Sequence, residues 1–197
     1  MGSFQRTHNC GELSEKDAGK EVLLAGWVHR HRNLGGLLFL DLRDKFGLTQ
    51  VFVDPKVLKV DVGYEDVIAV KGKVQLRQSA NPNLATGKIE VVAEKIEVLS
   101  EAAVLPFPIH EEGKEINDEM RLQYRFLDMR RSNIIKNLEL RHKAMMAIRE
   151  FLHENKFIEV TTPILGKSTP EGSRDYLVPS RLYPGHFYAL PQSPQQF

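Results

Sequence analysis

The chain has 197 residues, of which 42% are hydrophobic, and a net charge of +1 at pH 7. This length suffices for one small domain and part of a second, and the balanced charge excludes nucleic-acid recognition through a globally basic surface. One cysteine, Cys10, excludes an internal disulfide, and the Cys and His spacings of a zinc site do not occur, so we expect no bound metal. No apolar run approaches the ~20 residues that cross a bilayer, which predicts a cytoplasmic protein without a membrane partner.

The first half of the chain shows alternating hydrophobicity in short runs that are separated by Gly, Pro and Asn. Five such strands predict a small closed barrel of the oligonucleotide-binding (OB) type over residues 1–100, with a turn or two of helix after Pro55; a β-sandwich is the alternative. The five runs are "EVLLAGWV", "LLFLDLRD", "TQVFVD", "DVIAVKGKVQLR" and "KIEVVAEKIEVLS".

Alternation also predicts which side chains leave the barrel. If Leu40 and its neighbours at i±2 fill the core, Phe39 points outward, and the same reasoning puts Gln50, Phe52 and Glu90 outside. A basic run that contains Arg32 precedes the Gly35–Gly36 turn. Exposed rings, amides, carboxylates and arginines suit single-stranded nucleic acid, although a neighbouring loop could instead cover the rings. Trp27 is interpreted as a core residue.

The pattern changes after residue 100. Residues 101–131 combine prolines and a cluster of acids without sustained periodicity, which predicts a hinge between domains. A helix with three- to four-residue periodicity then begins at Ser132, which is a plausible cap. It leads into "FIEVTTPIL", a predicted strand that ends at Pro163, and then into a loop rich in Gly and Pro.

Four motifs resemble bacterial-type aspartyl-tRNA synthetases in order and spacing: "GWVHRHRNLGGLLFLDLRD", "RLQYRFLDMRR", "TPEGSRDYLVPSR" and "FYALPQSPQQF". The first motif is shared with the lysyl and asparaginyl enzymes, whereas the third and fourth are narrower. The resemblance implies an α+β chain: an all-β anticodon-binding barrel, a hinge, and over residues 132–197 the start of the antiparallel α/β catalytic domain of class II.

The resemblance also implies roles for particular residues. Phe39 would stack on the central U of the anticodon, Gln50 would hydrogen-bond it, and Glu90 would read the first base, with Arg32 and Phe52 in support. Leu34, where relaxed members often carry histidine, favours an enzyme strict for tRNA-Asp. Glu171, Ser193 and Gln195 would bind L-aspartate, while Phe157 and Pro163 would belong to motif 1 at a homodimer interface.

The chain ends inside its fourth motif, before the lysine, the motif 2 and motif 3 arginines and the insertion domain that the family carries. We therefore expect the amino-terminal portion of an aspartate–tRNA ligase that is inactive by itself, because adenylate formation needs those cations. ATP and Mg²⁺ would serve the full-length enzyme, and none is expected on this portion. The alternatives are a freestanding tRNA-binding module, which the amino-acid motifs disfavour, and an asparagine or lysine enzyme, which "PEGSRDY" disfavours.

Overall fold

A computed structural model describes residues 5–56, 61–110, 115–168 and 174–190. The chain divides into two units, Met1–Arg131 and Ser132–Phe197. None of the described helices is long and apolar enough to span a bilayer.

The first unit is built on a closed five-stranded barrel. Its strands follow the order β1-β2-β3-β5-β4 around the barrel; β3 and β5 run parallel, and all other neighbouring pairs are antiparallel. This confirms the predicted OB-type fold. The bounds are β1 (Glu21–Leu34), β2 (Leu37–Arg43), β3 (Leu48–Val53), β4 (Val67–Leu76) and β5 (Ile89–Ser100).

The barrel core follows the alternation of apolar residues. Side chains at every second position point inward, and β-branched residues dominate because they pack well on a pleated surface. The fully buried members from β2, β3 and β5 are Leu40, Leu42, Val51, Val53, Ile89 and Val91.

Strands β1 and β2 are joined by the Gly35–Gly36 turn. Leu34 and Leu37 form the last strand pair, and both glycines have positive φ, +60° and +85°. Two consecutive left-handed residues are the requirement of a type I′ hairpin, which L side chains other than Asn and Asp rarely satisfy. The Asn33 side chain accepts a hydrogen bond from the Gly36 amide at 3.2 Å.

The connection between β3 and β4 is described in part. Residues 57–60, in the middle of the predicted helix, lie outside the described residues. The flanking residues form turns at Pro55–Lys56 and Tyr64–Glu65, and no helix occurs among the residues of this connection that are described.

Residues 101–131, the predicted hinge, belong to the first unit and contain two short helices that periodicity did not indicate, α1 (Asp118–Gln123) and α2 (Arg125–Asp128). Phe107, Ile109 and Leu127 form a small separate core. The buried Asp128 carboxylate is paired with arginine side chains on both sides of it in the sequence, Arg121, Arg125 and Arg131. The domain boundary at residue 100 remains a prediction.

Trp27 is not a core residue, contrary to the sequence interpretation. Its ring is half-buried on the outer side of β1, and the guanidinium groups of Arg43 and Arg130 lie 5.8 and 5.0 Å from its centroid. Trp27 pairs with Arg43 across the β1–β2 ladder, and directly paired residues share a face. The alternation that buries Val28 therefore turns Trp27 outward.

Both arginines also bind Glu65, which is 5% exposed. Arg43 donates to its two oxygens at 2.8 and 3.0 Å, Arg130 donates at 2.6 Å, and His110 lies 2.7 Å from it. Through these contacts Glu65 attaches residues 101–131 to the barrel.

The second unit begins with the predicted helix, α3 (Ser132–Glu154). The predicted strand over residues 157–165 is wrong: this segment is irregular, and among the described residues that follow α3 only Gly166 makes an isolated bridge, to Ala189. A strand needs a partner for its backbone hydrogen bonds, which composition cannot supply. Instead a hairpin forms from β6 (Tyr176–Pro179) and β7 (Phe187–Leu190), in a region predicted to be loop.

Candidate nucleic-acid interface

Four neighbouring strands of the barrel carry the five residues that the sequence proposes for the anticodon. Arg32 lies on β1, Phe39 on β2, Gln50 and Phe52 on β3, and Glu90 on β5. Arg32 pairs with Phe39, and Phe39 pairs with Phe52, across successive ladders. The structure therefore brings these side chains together on one outer face, as alternation predicts.

The two phenylalanines form an aromatic pair on this face. Their ring centroids are 5.4 Å apart and the ring planes are inclined by 51°. Both rings are half-buried, so part of each remains accessible. Because each ring holds its neighbour in place, the pair is a prepared surface for stacking a planar group.

Polar side chains form a hydrogen-bonded chain beside the rings. Arg32 Nη2 donates to Asp41 Oδ1 at 3.1 Å and to Gln50 Oε1 at 3.2 Å. Gln50 Nε2 donates to Glu90 Oε2 at 2.7 Å, and Gln75 Nε2 donates to Glu90 Oε1 at 2.8 Å. We call these five residues the polar chain.

The polar chain corrects one expectation. The amide of Gln50 and the carboxylate of Glu90 were expected to be exposed, but these residues are only 4% and 9% exposed. The reason is that Gln50 and Glu90 cover each other across the parallel β3–β5 contact, 40 residues apart in the sequence. The alternation of a single strand gives the direction of a side chain but not what lies on top of it.

Arg32 keeps one group without a partner. Its Nε is inaccessible to solvent and has no hydrogen-bond partner within the part of the chain that the structure describes. A buried donor without an acceptor is unfavourable by ~1 to 3 kcal/mol.

Sequence reasoning left two members of the polar chain without a role, Asp41 and Gln75. The sequence does indicate that Gln75 faces outward, because Val74 beside it on β4 faces the core. Gln75 reaches Glu90 because β4 and β5 are antiparallel with these two residues in register. That register depends on the fold and cannot be read from β4 alone.

The remaining proposed residues lie elsewhere. Leu34 is 60% exposed at the end of β1, next to the glycine turn. Phe157 and Pro163 are exposed in the irregular segment after α3. Glu171, Ser193 and Gln195, the proposed aspartate ligands, lie outside the described residues.

A separate concave region of about 640 Å³ lies in the first unit where β1 meets the segment after the barrel. His29, Arg30 and Tyr64 line one side, and residues 102–110 line the other. None of the proposed anticodon residues belongs to it.

Comparison with known proteins gives matches in both units. Residues 22–99 match the family described as OB-fold nucleic acid binding domain, and residues 117–197 match the class II tRNA synthetases for D, K and N. Over 98% of its length the chain is 56% identical to an aspartate–tRNA(Asp/Asn) ligase of Chlamydia trachomatis, and over its whole length 50% identical to that of Protochlamydia amoebophila. It spans about a third of these curated relatives, 34% of each.

A solved structure agrees with this. The asparaginyl-tRNA synthetase of Pyrococcus horikoshii, complexed with asparaginyl-adenylate, superposes with a TM-score of 0.77 and 31% identity. The match covers 95% of the present chain and 43% of that enzyme. The likeness therefore extends through both units.

Proposed function

Because the chain belongs to the class II tRNA synthetases, in the group for aspartate, lysine and asparagine, we propose that it acts in an aspartate–tRNA ligase and that its barrel binds the anticodon of tRNA-Asp. Such an enzyme activates L-aspartate with ATP and transfers it to the tRNA. The observation that carries the proposal is the aromatic pair beside the polar chain on one outer face of an OB barrel. The match of residues 117–197 to a synthetase family counts against a freestanding tRNA-binding module.

Each residue of the face has a chemical task in this proposal. Phe39 stacks on the central U, with Phe52 supporting its ring. The Gln50 amide combines a donor and an acceptor, and so complements the N3–H and carbonyl of uracil. Glu90 accepts hydrogen bonds from the first base, and Arg32 supports Gln50 by donating to its side-chain oxygen.

The amino-acid and ATP sites are proposed from sequence motifs. Glu171 would face the ammonium group of aspartate, with Ser193 and Gln195 at the floor of the pocket. We propose that the whole enzyme uses ATP and Mg²⁺, as membership of the class II synthetases implies. The described residues bring together no group of His, Cys, Asp and Glu that suits a metal ion, so we assign no Mg²⁺ ligand among them. The cytoplasm, where tRNA is charged, remains the proposed location.

We also propose that the second unit contributes to a homodimer. Its helix α3 exposes large apolar side chains, among them Ile148 (55%) and Phe151 (64%), and Phe157 is 66% exposed. Exposed apolar groups of this size favour association. Phe157 and Pro163 remain the proposed motif 1 contacts.

Leu34 is our candidate for the residue that separates tRNA-Asp from tRNA-Asn. Its exposed side chain at the end of β1 is accessible to an RNA loop. The names of the curated relatives include both tRNAs, whereas leucine at this position favours the strict type.

Binding of a synthetic anticodon stem-loop tests the proposal. The 197-residue chain should bind a labelled stem-loop with the tRNA-Asp anticodon, and affinity should fall steeply with salt because phosphates are contacted. Replacing the central U by C should cost about 1 to 3 kcal/mol, the scale of one stacking or base-edge contact. Fluorescence anisotropy with both loops on the same stem measures this difference. Equal affinity for the two loops would contradict anticodon recognition by this face.

A further inference from the structure

The polar chain passes through every strand of the barrel. Arg32, Asp41, Gln50, Gln75 and Glu90 lie on β1, β2, β3, β4 and β5, one residue from each strand. Three of its four hydrogen bonds join neighbouring strands, β1 to β2, β3 to β5 and β5 to β4, and the bond from Arg32 to Gln50 joins β1 to β3 across β2. We infer that Gln75, at the far end of this chain, is a positioning residue that holds Glu90 for reading the first anticodon base. The inference rests on the proposed function.

The chemistry of its neighbours determines the orientation of Gln50. A guanidinium group only donates hydrogen bonds, and an ionised carboxylate only accepts them. Gln50 lies between Arg32 and Glu90, so its oxygen must face the arginine and its nitrogen must face the carboxylate, as observed. The reverse orientation would put donor against donor and acceptor against acceptor. The Gln50 amide is therefore presented to a ligand in a single orientation.

Glu90 is held from both sides. Gln50 donates to one carboxylate oxygen and Gln75 donates to the other, at 2.7 and 2.8 Å. These two bonds fix the plane of the carboxylate and leave further acceptor positions on each oxygen. Guanine offers two adjacent donors, N1–H and the exocyclic amine, and a carboxylate of fixed plane can accept both. Adenine presents an acceptor at N1 and does not match.

Gln75 differs from Gln50 in its surroundings. Gln50 is buried, whereas Gln75 is exposed, so its side chain can be changed without opening the core. Its role in this inference is to orient Glu90 rather than to touch the base. Loss of Gln75 leaves one oxygen of Glu90 without its amide donor and lets the carboxylate rotate about its terminal bond.

The test is a change of preference at one base. Gln75→Met keeps the length of the side chain but removes the donor. With the 197-residue chain, it should reduce the preference for guanine over adenine at the first anticodon position by about threefold to tenfold, the scale of one hydrogen bond. The preference for U at the central position should stay within about twofold. Anisotropy titrations with three stem-loops on one stem, the native loop and one substitution at each position, measure both preferences.

Two further variants make the result specific. Gln123→Met makes the same chemical change at an exposed position of α1, outside the barrel, and should leave both preferences unchanged. Gln75→Glu places a second carboxylate against Glu90 and should reduce the guanine preference at least as much as Gln75→Met. Thermal melting of the two methionine variants should match the native chain, whereas Gln75→Glu should melt somewhat lower because like charges then lie opposite each other.

The outcomes separate the two proposals. A native preference for guanine that persists in Gln75→Met and Gln75→Glu overturns the role of Gln75 alone. A loss of affinity that is equal for all three stem-loops does so too, since it indicates a merely structural role. If the native chain shows no preference at either anticodon position, the proposed function fails together with this inference.

Discussion

At the scale of single residues, neighbours on one strand have opposite environments. Leu40 is fully buried in the barrel, and Phe39 beside it is half-buried on the outer face against Phe52. Leu40 supports the fold, and Phe39 belongs to the proposed stacking surface. The pair therefore allows folding and binding to be separated by mutation.

Substitution of these two residues by alanine should give opposite results. Leu40→Ala leaves a cavity in the core and should lower the free energy of unfolding by about 2 to 5 kcal/mol. Phe39→Ala should change stability much less and weaken stem-loop binding by about 1 to 3 kcal/mol. Urea unfolding and anisotropy titration of both variants measure the two effects. If Phe39→Ala unfolds early while its folded fraction binds normally, Phe39 serves the core and our reading of this face is wrong.

For the candidate site, the sequence predicts the direction of the side chains but not their contacts. Alternation within β2, β3 and β5 predicts that Phe39, Gln50 and Glu90 point outward, as they do in the structure. Their burial and hydrogen bonds depend on partners from distant strands, such as Gln75, which local periodicity does not connect. The sequence interpretation puts Trp27 in the core because it lies on a strand beside Gly26, but in the structure arginine side chains lie against its ring outside the barrel.

At the scale of elements, the end of α3 is a Schellman motif without glycine. The Phe157 amide donates to the Leu152 carbonyl at 3.0 Å and the Lys156 amide donates to the His153 carbonyl at 2.9 Å. Lys156 has a φ of +67°, the left-handed conformation in which glycine is usually found. A lysine at this position carries a steric cost that glycine does not.

Lys156→Gly should therefore stabilise the second unit. We expect a gain of about 0.5 to 1 kcal/mol, less the greater chain entropy of glycine in the unfolded state. Chemical denaturation followed by far-ultraviolet circular dichroism measures it. Lys143→Gly, in the interior of the same helix, is the control and should destabilise by a similar amount. A loss of stability in Lys156→Gly would show that the left-handed geometry is not under strain.

Helix α3 and the five barrel strands were predictable because each has a clear period over many residues. The segment after α3 has the composition of a strand, but without a continuous partner it stays irregular. The hairpin of β6 and β7 was missed because each strand has only four residues, too few for a period to be recognised. The sequence of residues 101–131 predicts a hinge because their contacts involve single charged and apolar side chains without a repeat.

On the scale of the whole molecule, buried titratable groups hold the first unit together. Burial, together with the nearby positive charges of His110 and Arg43, lowers the pKa of His29 to about 4. Burial alone would raise the pKa of Glu65, but the hydrogen bond from His110 and the guanidinium groups of Arg43 and Arg130 hold it at about 2. Both groups lie where residues 101–131 meet the barrel, so this attachment is sensitive to acid.

The first unit should lose stability on acidification in two steps. His29 favours folding when neutral, so its contribution is complete above its ordinary pKa of 6.5 and is lost as the pH falls towards 4. Glu65 favours folding when ionised, so its contribution disappears from about pH 4.5 down to 2. For the first step we expect about 1 to 2 kcal/mol, allowing for the partial exposure of His29.

Urea unfolding between pH 7.5 and 4 measures this slope. His29→Gln, which does not titrate in this range, should flatten it, while His142→Gln on exposed α3 should leave it unchanged. A free energy of unfolding that rises as the pH is lowered from 7 to 5 would contradict the role of neutral His29.

The closed barrel also constrains how the chain is made. Strand β5 is the last of the five in the sequence, and it pairs with both β3 and β4. While Ser100 is still inside the ribosome, β1 to β4 can form only an open sheet, in which β3 and β4 are unpaired edges. Unpaired edges invite pairing with other chains, so this stage of synthesis is the one most exposed to misassembly. Once β5 enters, both edges close in a single event, and a pause in translation before that point would lengthen the vulnerable interval.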